Sequence, residues 1–302
     1  MNAVALATPV ALTEAQAGLW FPQRLAPDNP SFNTAHAVWI DGPLDVAAFV
    51  VAADQAAGEA QALALRFAEG ADGQPLQWHD PAHVPSLSVR DVSTEADPPA
   101  AARNLMHADR LNPVDPTRDR ISQQMLLELG GQRWVWYLRV HHLATDGYGM
   151  ALSTDRVCAL YAGRTGEPLP GLTGVLADDA AYRADPRRTQ AGQWWREHMQ
   201  GAPAGVGLAG THAASDDALR WVQPLDAAFR EQLLQASVRW LQPWPDVLAA
   251  LSAEYLRRMS AADEVVLGVP YMGRLGNASA RVPAMVMNVL PLRVAAGGGS
   301  VE

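Results

Sequence analysis

Cys158 is the only cysteine in 302 residues, which excludes an internal disulfide and any metal site built from several thiolates. Standing inside a helical pattern, that thiol is expected in the core. No apolar run approaches the ~18 residues a membrane helix needs, and Met1 to Val10 lacks the basic flank and long apolar core of a secretion signal. The cytoplasm is therefore the expected compartment. No basic cluster interrupts a net charge of −9, set by 23 basic and 32 acidic residues, so neither nucleic acid nor a membrane surface has an electrostatic footprint. A Gly-x-Ser-x-Gly element is also missing, and with it the turn that presents a hydrolase nucleophile. What is present is a chain with 49% hydrophobic residues, enough to pack one large domain or two lobes.

Periodicity predicts a helix from Thr13 that Pro22 and Pro27 break, then a strand over His36 to Ile40. Asp45 is placed to cap a helix through Ala52 that Gly58 ends, and Gln61 to Ala68 with Gln74 to His79 reads as a hairpin. Pro98 to Leu111 is helical. Ser122 to Leu129 and Gln132 to Val140 form a second hairpin around Gly130 and Gly131. In its second strand Trp134, Trp136, Leu138, Val140 and His142 share one face, while Val135, Tyr137, Arg139 and His141 share the other. A helix follows from Gly147 to about Ala162, with Gly163 as its stop. The Pro- and Gly-rich stretch from Thr165 to Asp185 is the expected lobe boundary, giving lobes over 1–174 and 175–302. Beyond it come a helix around Trp194 and Trp195, a strand over Leu219 to Val222, helices over Asp226 to Val238 and Pro245 to Arg258, and strands over Glu264 to Val269 and Met285 to Val294. The closing Ala-Ala-Gly-Gly-Gly-Ser resembles a linker.

The chemistry concentrates in Arg139-Val140-His141-His142-Leu143-Ala144-Thr145-Asp146-Gly147-Tyr148. Adjacent histidines on a strand face apart, so joint ligation of one metal ion is disfavoured and no metal is expected. With no internal nucleophile, a histidine here would serve two substrates brought from outside, as in a transferase. Asp146 suits a structural part, holding the loop through backbone N–H groups or a buried arginine, and Gly147 would permit a dihedral closed to other residues. The pattern alone is also compatible with a strand that ends in satisfied polar groups.

That stretch resembles the HHxxxDG motif of the condensation domains of nonribosomal peptide synthetases, and further motifs follow in family order. Glu14 to Trp20 is similar to the opening AQxxLW element, Phe32-Asn33, Gly42 to Asp45 and Leu65 to Phe67 stand at family-like spacing, and Gly268 to Arg274 and Met287 to Arg293 resemble GxPxxGR and VNxLPLR. Trp134 to Tyr137, Arg274 to Gly276 and Asn288 to Leu292 are most like the siderophore, enterobactin-type members. Glu59, Ala60 and Gln61 replace the basic-His-Glu triplet of the second motif, which removes any structural part for that pair. Ala177 to Tyr182 retains only a trace of the fourth.

The resemblance implies an α/β fold of two chloramphenicol-acetyltransferase-like lobes in a V-shaped pseudo-dimer, the second lobe incomplete in this sequence. It implies amide formation from an acyl or aryl thioester on a donor carrier protein and the amine of an aminoacyl thioester on an acceptor carrier. No cofactor is held by such a domain; both substrates ride on phosphopantetheine arms, in a monomeric unit of a larger chain with an adenylation domain as neighbour. By the same resemblance His142 is the key group, as base or as hydrogen-bond donor, His141 supports it, and Asp146 and Gly147 complete the motif. Arg274 would pair with Asp146 across the lobes, Asn288 would support the site, and Tyr148 would line the donor side. A related HHxxxDG acyltransferase, an epimerisation domain and a non-catalytic docking module are the alternatives.

Overall fold

The computed structural model describes residues 8–295, apart from 165, 204, 206, 207 and 209–219. The chain forms two compact units, one from Met1–Asp185 with Met272–Asn288, the other from Pro186–Tyr271 with Val289–Glu302. No helix of the described residues is long and apolar enough to cross a membrane.

In the first unit, β1 (Val10–Ala11) leads into α1 (Glu14–Leu25). Thr13 and Gln16 cap that helix reciprocally, each side chain bonded to the other's backbone N–H. Pro22 does not break it as expected: proline removes one helical donor, and the chain runs on to Leu25 before Ala26 ends it by donating to the Pro22 carbonyl. Then come β2 (Asn33–Asp41), α2 (Val46–Glu59), β3 (Leu65–Glu69), β4 (Pro75–His79), β5 (Leu87–Asp91) and α3 (Pro98–Leu111). Asp45 caps α2 as expected, and the helix passes Gly58 by one residue. The first half of the expected hairpin strand, Gln61–Ala64, is a 3-10 turn. Next are β6 (Ser122–Gly130), β7 (Arg133–His141), α4 (Gly147–Tyr161) and α5 (Thr173–Ala184).

These strands make two sheets, β1-β4-β3 and β2-β7-β6-β5. In the larger one β6 and β7 form the expected hairpin, with Gly130, Gly131 and Gln132 all at positive φ, and β5 lies parallel to β6 through the α3 crossover. The alternation of β7 is obeyed on both faces. Trp136, Leu138 and Val140 join the main core with Trp20, Phe49 and Phe67, whereas Val135 and Tyr137 join a smaller cluster with Met125 and Ala102 of α3. Burial on both faces fixes the register of β7, and so the point at which its histidines emerge.

The expected division after Gly174 falls inside α5, whose Val175 packs in the first unit's core. The prolines and glycines ahead of α5 mark a surface loop, and the chain leaves the unit only at Asp185. Cys158 is exposed rather than in the core, since α4 turns it outward between buried Val157 and the half-buried Leu160.

The second unit contains α6 (Pro186–His198), α7 (Ala227–Trp240), α8 (Trp244–Ser260), β8 (Glu264–Tyr271) and β9 (Asn288–Ala295), the last two paired. Asp226 caps α7 and a proline opens α8, as their types predict. Of the expected strand over Leu219 to Val222, Leu219 lies outside the described residues, and Arg220 to Val222 form no strand; Trp221 stands 87% exposed. The linker-like ending beyond Ala295 also lies outside them. Arg293 in β9 forks onto Glu264 of β8 and donates to the His198 and Gln200 carbonyls, which ties strand pair and helix end together.

Candidate active site

The site is assembled within the first unit, at the turn that joins β7 to α4. Four fixed points shape that turn. His141 N–H donates to the Ile121 carbonyl at 2.7 Å, and His142 N–H to the Phe32 carbonyl at 2.7 Å. Leu143 N–H donates to His141 Nδ1 at 3.2 Å, and the Leu143 carbonyl accepts from Gln16 Nε2 at 3.0 Å. Gln16 is itself locked by a reciprocal amide pair with Gln77 at 2.7 Å.

The two histidines have opposite surroundings. His141 is 1% exposed, with Nε2 at 3.1 Å from Gln23 Oε1. Burial, and then the neighbouring His142 and Arg139, push its pKa down to about 3, so the ring is neutral. His142 is half-buried; its Nδ1 is enclosed and lacks a hydrogen-bond partner among the described residues. A proton on that nitrogen would have no acceptor, and leaving a buried donor unpaired is costly. The ring's proton is therefore best accommodated on Nε2.

Asp146 holds the far end of the turn. Its Oδ1 accepts from Gly149 N–H at 2.9 Å and caps α4, while Oδ2 accepts from Val286 N–H at 3.2 Å and Met287 N–H at 3.1 Å. Arg274 Nη2 reaches Oδ1 at 2.7 Å and the Ala284 carbonyl at 2.8 Å; Nη1 reaches the Val282 carbonyl at 3.0 Å and also the Ser279 carbonyl. The expected Asp146–Arg274 pair is present, but not across lobes: Met272–Asn288 belongs to the same unit as Asp146. The same bonds explain why the last strand starts at Asn288 and not at Met285. The amides of Val286 and Met287 are engaged by Asp146.

Gly147 needs no glycine geometry. It opens α4 without a positive φ, and a Cβ there would meet nothing within 4 Å. The tight position is Gly149, where a Cβ would lie 2.1 Å from Thr145 Oγ1 and 3.0 Å from Ala284 N. Tyr148 stacks its ring 4.8 Å from the Arg274 guanidinium carbon and donates its hydroxyl to the Ala280 carbonyl at 3.3 Å. Asn288 is exposed at the head of β9.

The altered second motif is not idle. Glu59 forks onto Arg156 of α4 at 2.6 and 2.8 Å and accepts from Leu169 N–H at 3.1 Å; Gln61 accepts from Leu172 N–H at 2.9 Å. These side chains brace α4 and the loop before α5, a part that motif comparison alone removed. Asp178 and Asp179 tie α5 to the 272–288 segment and to α1, accepting from Ala278 N–H at 2.8 Å and Glu14 N–H at 2.9 Å. Sequence reasoning also missed Gln23, whose type and position carry no local signal. Among the described residues no three His, Cys, Asp or Glu side chains gather as a metal-ligand set.

Comparison with known proteins places this geometry in context. The Condensation domain family model matches residues 7–300. The chain is 40% identical over 290 residues to the dimodular nonribosomal peptide synthase of Bacillus subtilis (strain 168), covering 94% of this chain and 12% of that protein. It is 29% identical over 297 residues to enterobactin synthase component F of Escherichia coli O157:H7, covering 94% of this chain and 23% of that one. Thus the chain spans a small part of these relatives. Among solved structures, the first condensation domain of the calcium-dependent antibiotic synthetase, in complex with substrate analogue 2a, superposes with a TM-score of 0.83 at 32% identity, covering 97% of this chain and 71% of that one. A variant starter condensation domain of rhizomide synthetase RzmA in complex with C8-CoA gives 0.81 at 32% identity, covering 97% and 67%.

Proposed function

The chain belongs to the condensation-domain family, and from that premise we propose that it forms amide bonds in nonribosomal peptide synthesis. An acyl thioester on a donor carrier protein is joined to the amine of an aminoacyl thioester on an acceptor carrier. Both substrates arrive on phosphopantetheine arms, beside an adenylation domain of the same larger chain, in the cytoplasm.

The observation that carries this reading is the contrast between the two histidines. His141 is buried and bonded at both ring nitrogens, whereas His142 is half-buried on an anchored turn and its Nδ1 has no hydrogen-bond partner among the described residues. A polar group held that way, in a family of acyl transferases, is available to a substrate.

Its chemistry follows from the tautomer. With the proton on Nε2, His142 is a donor to the oxygen that becomes negative when the amine nitrogen attacks the thioester carbonyl. To act as base at Nε2 the ring would have to carry its proton on the enclosed Nδ1. The attacking amine is neutral, and its addition gives a species with ammonium and alkoxide charges. That addition forms the C–N bond; collapse of the alkoxide restores the carbonyl, breaks the C–S bond and expels a thiolate, which takes the surplus proton from nitrogen. A donor preorganised toward such an oxyanion contributes about 10²–10³ in rate. Asp146, Arg274 and His141 hold the turn and do not touch the reacting atoms.

Mixing a loaded donor carrier, an aminoacylated acceptor carrier and this chain, followed by intact-mass analysis of the acceptor, tests the proposal. The acceptor should gain the acyl mass with wild-type protein and lose that gain with His142→Ala. Equal product from the variant would overturn the assignment to His142. Inversion of the acceptor's stereocentre without mass gain would point instead to epimerisation. Similarity to a starter domain bound to C8-CoA supports a second donor class: acyl-CoA offered in place of the loaded donor carrier distinguishes the two.

A further inference from the structure

The His141 environment is more tightly specified than simple burial requires. Gln23 in α1 is fully buried, and its amide nitrogen faces three carbonyls, those of Ala26 at 3.2 Å, Pro27 at 3.1 Å and Asn29 at 3.5 Å. These acceptors set the orientation of the amide, because the reversed orientation would turn its oxygen onto them. Gln23 Oε1 is thereby directed at His141 Nε2, 3.1 Å away, and accepts a hydrogen bond from Nε2–H. The remaining ring nitrogen, Nδ1, then carries a lone pair and accepts from Leu143 N–H at 3.2 Å.

We propose that Gln23 is a positioning residue of the transfer site: by selecting the Nε2–H form of His141 it creates the acceptor that folds the Leu143 turn and so presents His142. The chain of dependence runs from three carbonyls through one amide and one imidazole to a single backbone N–H. The Nδ1–H form would break it at two places. Nε2 would offer no hydrogen to Gln23, and Nδ1–H would oppose Leu143 N–H, donor against donor. Leu143 lies next to His142, whose own N–H is held by Phe32. Loss of the Leu143 bond therefore frees the peptide on one side of the reactive ring while leaving the other side pinned, which rotates the ring instead of releasing it.

This inference rests on the acyl-transfer reading for its activity arm only; its structural arm needs no substrate. The experiment is nitrogen-15 NMR of histidine-labelled full-length chain, paired with transfer kinetics, for wild type, Gln23→Met, His141→Asn and His141→Leu. In wild type the His141 signals should show a proton on Nε2 and none on Nδ1. Gln23→Met keeps bulk and removes the acceptor, so the His141 signals should move toward the Nδ1–H form, the His142 ring signals should move with them, and kcat should fall about tenfold to a hundredfold with KM little changed. His141→Asn places an oxygen where Nδ1 was, so Leu143 keeps an acceptor; it should retain more kcat than His141→Leu although both lack Nε2.

An unchanged His141 tautomer in Gln23→Met would overturn the proposal, as would a changed tautomer with wild-type kcat. Equal losses in His141→Asn and His141→Leu would do the same, and this arm remains decisive if Gln23→Met does not fold. Absence of transfer by wild-type protein would instead count against the acyl-transfer reading, and the His141 and His142 signals would still decide the part of Gln23.

Discussion

Asp146 Oδ1 stands 2.7 Å from Arg274 Nη2, with each side chain only 2% exposed. The carboxylate also accepts three backbone N–H bonds, and the guanidinium serves three carbonyls. The pair is thus the centre of a network in which helix start, turn and the 272–288 segment share one set of bonds. Removing one partner from a buried pair strands the other. Arg274→Ala should lower unfolding free energy by about 3–5 kcal/mol, measured by denaturant titration. Arg274→Lys should recover little of it, since an ammonium cannot reproduce a planar fork. A loss below about 1 kcal/mol, as surface pairs show, would mean the network does not bear on stability.

Two glycines in the same helix turn should respond in opposite ways. Gly149→Ala puts a methyl 2.1 Å from Thr145 Oγ1 and against the 283–284 backbone, an overpacking expected to cost about 1–3 kcal/mol. Gly147→Ala meets no atom within 4 Å and should raise stability by up to about 1 kcal/mol through lower unfolded-state entropy. Thermal midpoints of the two variants give the comparison. If Gly147→Ala is stable yet slow in transfer, the open space in front of it is substrate space.

How far the sequence disclosed this arrangement depends on the range of the interaction. Alternation along Arg133 to Val140 was readable because each residue's face is set by its immediate neighbours, and both clusters obey it. The helix start at Thr13 and the caps at Asp45 and Asp226 were readable for the same reason. His141 with Gln23, 118 residues apart, and Glu59 with Arg156, 97 apart, leave no local trace. Nor does any shift in composition at Met272 announce that the chain returns to its first unit. The misplaced boundary after Gly174 has a similar origin: Pro and Gly report a loop, and only packing shows whether that loop separates bodies.

The Glu59–Arg156 pair predicts an acid-sensitive contribution. Burial alone would raise the Glu59 carboxyl, but bonds from Arg156, Gln55 and Leu169 N–H outweigh it and hold the pKa below the ordinary glutamate value. A depressed folded pKa contributes stability above the unfolded value, near 4.5, that disappears as pH falls through the folded one. Glu59→Gln should therefore be less stable than wild type at pH 7, and the gap should narrow below about pH 4.5. Denaturant midpoints across that range check it; a gap independent of pH would exclude an ionised pair.

His141 should act earlier on the acid side. Its folded pKa is pushed down to about 3, first by burial and then by His142 and Arg139, from an ordinary value of 6.5. Below pH 6.5 the unfolded chain takes a proton that the folded ring refuses, so this site lowers stability by up to about 1.4 kcal/mol per pH unit as pH falls toward 3. His36 and His79, also held down by burial, add to the slope. His141→Asn should flatten the profile between pH 6 and 4 by about one proton's worth, read from urea midpoints. A profile as steep as wild type would place the proton uptake elsewhere.

Arg274 follows Asp146 by 128 residues, and that distance along the chain is also an interval of time. At about 5–20 residues per second of synthesis, the carboxylate emerges roughly 6–25 seconds before its guanidinium. During that interval the ribosome carries a nascent first unit with the end of its β7–α4 turn unsecured, while the intervening second unit is still being made. Chains arrested just before and just after Arg274 has left the exit tunnel should differ sharply in protease resistance over residues 133–161, and the schedule of translation becomes part of how this site is built.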